Sequence, residues 1–296
     1  MQIDHPAGGS VYAYTGARDW LAARAAGQPC AVLLHGALND HSVWTLAARW
    51  LAHHGWAVLV PDLPGHGRSS GPVQPDVESL ADWLIGLLDT LGVTQAALIG
   101  HSMGSLIALE AAARSLTQKQ VKATPLVISH LVMVGTAVPM LVSAALLATA
   151  AGQPLQAIDQ VVSFAHASLG AKPGNPGPGT WHHIASRQLM RQVLARSADG
   201  VGQGSRGEMV HNLFHHDFGI CNAYQGGLIA ASKVAASGLT RCSVVVGGRD
   251  RMTAPRAARE VAGLLKAQTF PLPSAGHELM QEDPEGLLRA LRSALG

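Results

Sequence analysis

The sequence predicts an α/β fold, a mostly parallel central sheet with helices on both faces and a separate helical insert. Three observations carry this. Wholly apolar runs at residues 30–34, 56–60 and 96–99 are too short for helices and do not alternate, so they read as strands covered on both faces. Longer stretches between them carry apolar residues at spacings of three and four, and such alternation of strand and helix is the signature of a parallel sheet. From about Thr136 to Phe218 the alternation stops, and helical pieces divided by glycine and proline take its place.

In chain order, residues 11–14 read as an edge strand, 30–34 and 56–60 as buried strands, and 42–51 as the helical run between them. Helix 76–91 sets Leu80, Leu84, Leu87, Leu88 and Leu91 on one face. Strand 96–99 follows, then a helix over 105–116, a connection through Lys119 and Lys122, and a strand over 130–134. After Asn222 a helix leads to strand 241–246, and 268–272 is the last strand. The expected division is a first part of the core at 1–135, a helical cap at 136–218 and a second part of the core at 219–296. Within the cap, the apolar stretch 138–151 contains Pro139 and falls short of the roughly 20 residues a bilayer span needs, so it reads as a cap helix. Residues 170–179 and 199–207 are too rich in glycine and proline for regular structure, and are either lid hinges or plain surface loops.

Bulk properties narrow the partners. At 296 residues with 48% hydrophobic content the chain has ample core-forming material, while a net charge of +2 with 14% charged residues gives no basis for nucleic-acid or anionic-membrane binding. Cys30, Cys221 and Cys242 are odd in number and far apart, which fits neither a disulfide framework nor a zinc site. No basic segment leads into an apolar run near the N-terminus, so the cytoplasm is the expected location. Monomer and dimer both remain open.

The chemistry concentrates at Gly100-His101-Ser102-Met103-Gly104, between a strand-like and a helix-like run. Glycines flanking such a tight strand-to-helix turn remove Cβ atoms that would clash, and the serine is held in a strained conformation with its hydroxyl exposed. Asp250 follows strand 241–246, and His277 follows strand 268–272, so both fall with Ser102 at one edge of the sheet, where open α/β sheets place their sites. A hydroxyl needs a base to become a nucleophile, and imidazole suits that task. A buried carboxylate then fixes the imidazole tautomer. Asp217 and Asp283 are competing choices for that carboxylate.

These residues give the chain its resemblance to the α/β-hydrolases, in particular serine hydrolases with a helical cap. The likeness runs through His35-Gly36-Ala37, the stretch from Pro61 to Ser69 (PDLPGHGRS), the 100–104 turn, Gly248 to Met252 and Gly276-His277 with Glu282-Asp283-Pro284 behind it. It implies the order Ser102, Asp250, His277 for a catalytic triad, and an oxyanion hole from the backbone N–H of Met103 and of Ala37, with Leu38 as the neighbouring alternative. Asp62 and His66 are expected to brace their glycine-rich loop. Leu38, Met140 and Leu141 are expected to line a substrate pocket with Met103 at its floor, against the alternative that an apolar helix over 140–150 merely packs on the core.

The implied activity is cofactor-independent cleavage of an ester, or a related acyl bond, of a small apolar molecule through an acyl-enzyme on Ser102. The epoxide-hydrolase and dehalogenase branches resemble the chain but use aspartate there. An acyltransferase or carbon-carbon bond hydrolase on the same triad, and a ligand-binding protein that reuses the pocket, are the alternatives. The histidines at 182, 183, 211, 215 and 216, with Asp217, do not show metal-ligand spacing, and no metal is expected.

Overall fold

The computed structural model describes residues 1–118, 125–167, 178–196 and 212–296. Its strands are β1 (Gln2–Asp4), β2 (Ser10–Tyr14), β3 (Cys30–Leu34), β4 (Ala57–Pro61), β5 (Gln95–His101), β6 (Val127–Val134), β7 (Arg241–Gly247) and β8 (Gln268–Leu272). Its helices are α1 (Trp20–Ala25), α2 (Thr45–His53), α3 (Val77–Thr90), α4 (Met103–Gln118), α5 (Ala144–Gly152), α6 (Pro154–Ala165), α7 (Pro178–Arg196), α8 (Leu213–Ala223), α9 (Gly227–Ser237), α10 (Arg259–Leu264), α11 (Leu279–Glu282) and α12 (Pro284–Leu295).

The strands form one sheet in the order β1-β2-β4-β3-β5-β6-β7-β8. Every pairing from β4 to β8 is parallel, and β1 and β2 join antiparallel. The expected edge strand is therefore internal, since Tyr14 pairs with Val60 and β1 lies outside it. Three residues with one buried apolar side chain, Ile3, are too short to show a period, which is why β1 does not announce itself.

Side-chain alternation splits the core in two. Cys30, Val32 and Leu34 of β3 face one layer, with α3, α4 and α9, while Ala31 and Leu33 face the other, with α2 and α12. In β6 the alternation slips between Ile128 and Leu131, because the register with β5 shifts at Ala96/Ala97 and brings His130 opposite Ala97. Burial on both faces explains the continuous apolar runs in the sequence.

Local signals set several helix starts. Asp76 caps α3, its carboxylate accepting from Ser79 N–H at 2.6 Å. The expected helix at 42–51 is instead a 3-10 turn at His41–Trp44 running into α2. Asp40 caps that turn, and the fully buried Trp44 donates from Nε1 to the Leu34 carbonyl at 3.0 Å.

The helices α5 to α8 are inserted between the adjacent parallel strands β6 and β7. They build their own apolar cluster, in which Ile158, Val161, Met190, Val193, Phe214 and Phe218 close over Leu38 and Val73. The helix expected over 138–151 is a correction, because the chain is irregular up to Ser143 and α5 starts at Ala144. Ser143 sits in the extended region and accepts from Leu146 N–H at 3.2 Å, while Val142 N–H donates to Asn222 Oδ1 at 2.9 Å, so this stretch is tied to α8 as a strap. The expected end of the cap at residue 218 lies inside α8. The 199–207 loop, Lys119, Lys122, His211 and residues 170–177 of the other glycine-rich run lie outside the described residues.

The turn between β5 and α4 leaves no room for side chains at its two glycines. A Cβ on Gly104 would come within 2.5 Å of the Leu34 carbonyl oxygen and 2.6 Å of that of His35, and one on Gly100 would meet the Gly104 carbonyl. Rigid backbone stands on the other side of each contact, so Gly104→Ala is expected to lower stability by about 3 kcal/mol or more, measured as a lower urea midpoint.

Candidate active site

Ser102 occupies the turn with φ of +51°, a left-handed conformation that costs a non-glycine residue about 1–2 kcal/mol. Its neighbours hold it there. Ser102 N–H donates to the Val134 carbonyl at 2.9 Å, and the Ser102 carbonyl accepts from Ser105 N–H at 2.9 Å and Ser105 Oγ at 2.6 Å. Thr136 Oγ1 fixes that second hydroxyl in turn, 2.7 Å away.

Asp250 and His277 stand on the loops that follow β7 and β8. His277 Nδ1 lies 2.8 Å from Asp250 Oδ2, so Nε2 is the ring nitrogen left free for a reacting group. The Asp250 carboxylate also accepts from Met252 N–H and Thr253 N–H, both at 2.8 Å, and from Thr253 Oγ1 at 2.7 Å. Burial alone would push His277 down, yet the Asp250 carboxylate raises it above the ordinary value of 6.5. The same pairing, with the Thr253 contacts, holds Asp250 below the usual carboxylate range against the effect of its own burial. His101 stays neutral beside them, pushed down to about 3 by burial and by the neighbouring His277 ring, while its Nε2 donates to the His277 carbonyl at 2.9 Å.

The competing carboxylates are occupied elsewhere. Asp283 caps α12 through Gly286 N–H at 2.8 Å, and Asp217 is buried against His66.

A cavity of about 320 Å³ opens at this edge, and Ser102, His277, Ala37, Met140 and Leu141 all line it. Ala37 follows the fully buried His35, whose Nδ1 donates to the Gly36 carbonyl at 2.9 Å and whose Nε2 accepts from Leu63 N–H at 3.0 Å. That arrangement requires a neutral ring, in keeping with a value pushed down to about 4 by burial and the nearby His66. Met103 opens α4, so its N–H belongs to the positive end of a 16-residue helix.

Two pocket expectations need correction. Leu38 is fully buried in the cluster of the inserted helices and forms no part of the cavity wall. The Met103 side chain packs into the core layer with α3 and α4 and is not the cavity floor. Leu38 packs against the apolar cluster of the inserted helices, to which its N–H bond with Asp217 ties it, and Met103, as the first residue of α4, packs into the layer shared with α3 and α9. The wall has instead recruited Thr253, Cys221, Phe218, Gln160, Phe164 and Arg251. Thr253, three residues beyond Asp250, had a readable signal, since a Thr at that spacing satisfies a turn carboxylate. Gln160, Phe164, Phe218 and Cys221 come from the inserted helices and carried none, and Arg251, although next to Asp250, stands in no pattern that assigns it to the wall.

Leu38 shows where Asp217 acts. It adopts φ of +53°, and its N–H donates to Asp217 Oδ2 at 2.8 Å. The same oxygen lies 2.8 Å from His66 Nε2. A carboxylate on the inserted α8 is therefore joined to the loop after β3 and the loop after β4. Asp62 braces the latter from inside, accepting from Arg68 N–H at 2.8 Å and from the N–H and Nδ1 of His41 at 2.7 and 2.8 Å. Asp40, His41 and Asp62 bring ligand-type atoms within 4.8 Å of one another, and this brace explains their convergence. His215 is exposed, and His216 bonds the Gln74 carbonyl, so neither converges with Asp217 on an ion.

The His66–Asp217 pair generates a testable expectation. Despite burial, Asp217 raises His66 above 6.5, and His66 holds Asp217 below 3.8. The stability from the pair is complete between those ordinary values, is lost as pH rises through the raised His66 value, and is lost as pH falls through the lowered Asp217 value. Removing one partner of a buried pair costs about 3–5 kcal/mol. Denaturant unfolding of Asp217→Asn against wild type should show the largest loss from about pH 4 to 6.5, with the gap narrowing at alkaline pH.

A family model described as "Alpha/beta hydrolase family" matches residues 31–290. Among curated proteins, an epoxide hydrolase from Caballeronia sordidicola is 34% identical over 88 residues, 28% of this chain and 26% of that protein. The chain matches such curated relatives over 30% or less of their length. Among solved structures, a hydrolase from Pseudomonas aeruginosa superposes with a TM-score of 0.75 at 18% identity, covering 100% of this chain and 98% of that one. The enol-lactonase from Burkholderia xenovorans gives a TM-score of 0.71 at 19% identity, covering 100% and 99%. At these identities the two structures speak for the fold.

Proposed function

The chain belongs to the alpha/beta hydrolase family, and within it we propose a cofactor-independent serine hydrolase that cleaves a carboxylic ester or related acyl bond through an acyl-enzyme on Ser102. One observation carries the reading. A serine held at positive φ shares a cavity with a histidine whose other ring nitrogen is bound to a buried aspartate.

The reaction follows from that geometry. Ser102 Oγ attacks the acyl carbon as its proton passes to His277 Nε2, and Asp250 offsets the imidazolium charge at Nδ1. The carbonyl π electrons move to oxygen, where the backbone N–H groups of Ala37 and Met103 meet the negative charge. Collapse expels the alcohol with the proton from His277. A water then repeats the sequence on the acyl-enzyme, and the acid leaves as Ser102 regains its proton. A serine rather than an aspartate at the nucleophile position favours acyl transfer to water over the epoxide chemistry named for the Caballeronia relative.

The largely apolar wall, with Met140, Leu141, Val142, Leu146 and Phe218, supports a small apolar acyl or alkoxy group. Helices α5, α6 and α8 of the insert serve as the cap that closes this wall. Among the described residues no helix is long and apolar enough to cross a membrane. The three free, buried cysteines suit a reducing compartment, which supports the cytoplasmic expectation.

Fluorophosphonate labelling and hydrolysis of p-nitrophenyl esters test the proposal. Ser102→Ala is expected to abolish labelling, and Ser102→Ala and His277→Ala each to lower kcat by about 10⁴-fold or more, with circular dichroism unchanged. Turnover by Ser102→Ala at the wild-type rate would overturn it. The acidic limb of kcat/KM should have its midpoint above 6.5, and Asp250→Asn should move it to lower pH, since the aspartate is what raises His277.

A further inference from the structure

The cavity wall is apolar with one exception in charge. Among the described residues Arg251 is the only Lys or Arg that lines it, and no Asp or Glu does. No carboxylate pairs with Arg251 among the described residues. Its hydrogen-bond partners among the described residues are neutral, the Ser163 carbonyl at 2.5 Å and the His166 carbonyl at 3.3 Å, both reached by one terminal nitrogen. The guanidinium carbon lies 5.2 Å from the centroid of the Phe164 ring, which is itself part of the wall.

These contacts fix the guanidinium without neutralising it. Two carbonyls at the end of α6 and one aromatic face orient this exposed side chain, which reduces the freedom it loses when a ligand binds. Capping the end of α6 accounts for one nitrogen. It leaves the other N–H donors open to solvent or a ligand, beside a cavity whose described residues offer a full positive charge and no carboxylate. Gln160, one turn before Phe164 on α6, brings an amide to the same wall. Arg251 also directly follows Asp250, so the cation and the His277 partner are held by one loop.

We propose that Arg251, assisted by Gln160, binds an ionised carboxylate at the far end of the substrate, so that the preferred ester is one whose apolar chain ends in a second, free carboxylate. This rests on the ester-hydrolase reading. A carboxylate matches the planar fork of the guanidinium, the apolar wall between accepts the methylenes, and the reacting carbonyl lies at Ser102. A cationic substrate is disfavoured by the same charge.

The test compares p-nitrophenyl monoesters of glutarate, adipate, pimelate and suberate with p-nitrophenyl esters of unbranched monocarboxylic acids of equal length. Wild type should favour the anionic ester by about tenfold or more in kcat/KM at one chain length. Arg251→Gln should remove that preference through KM, Arg251→Lys should retain part of it, and added salt should weaken it in wild type alone. Calorimetric binding of the corresponding monomethyl esters to Ser102→Ala protein, with and without Arg251→Gln, reads the same site without turnover. Ser102-dependent hydrolysis with no anionic preference at any length, or an Arg251→Gln variant that loses both ester series equally, would overturn the carboxylate site and leave the hydrolase reading standing. Turnover that persists in Ser102→Ala would overturn the hydrolase reading itself. Absence of binding by Ser102→Ala protein at every chain length would overturn the carboxylate site.

Discussion

Everything at this site depends on a backbone held where an L-residue resists going. Ser102 sits at positive φ because β5 and α4 approach so closely that Gly100 and Gly104 leave no room for a Cβ. The cost is about 1–2 kcal/mol, small beside the burial that locks the turn. The parallel sheet supplies that burial, since β3 and β6 flank β5 and each is covered on both faces. The turn also projects the serine beyond the carboxyl edge, where the loops after β7 and β8 bring Asp250 and His277.

Among the described residues, two buried histidine–carboxylate pairs lie within this one edge, and their surroundings set them apart. His277–Asp250 borders the cavity, so its charge can change when a reacting group is present. His66–Asp217 does not line that cavity and joins the insert to two core loops. Its carboxylate also holds the left-handed Leu38 beside Ala37, which couples the docking of α8 to the position of the proposed oxyanion donor. The neutral His35 and His101 complete the pattern. Burial keeps them uncharged between the two pairs, so among these buried histidines a positive charge is favoured only where a carboxylate stands to meet it.

The insert does more than cover the sheet. Its strap at Met140–Ser143 is tied to α8 through Asn222, and the Ala165 carbonyl of α6 accepts from the His277 backbone N–H at 2.6 Å. The insert thus touches both the cavity wall and the loop that carries His277.

The local sequence determined the strands of the parallel sheet, the turn at Ser102 and the positions of Asp250 and His277 just past two strands, because double-sided burial, a glycine-flanked turn and strand-end polar residues each leave a short-range pattern. It could not show β1, whose pairing lies with β2 and not within its own three residues, nor the strap at 138–143, where Asn222 overrides an apolar run that reads as helix. Tertiary structure alone chose among Asp250, Asp217 and Asp283 as the partner of His277, sent Leu38 and Met103 inward, and set Arg251 against Phe164. Those outcomes depend on contacts between residues distant in the chain, with Leu38 and Asp217 separated by 179 positions. No local pattern records which buried carboxylate meets which donor; packing of the insert on the sheet decides it.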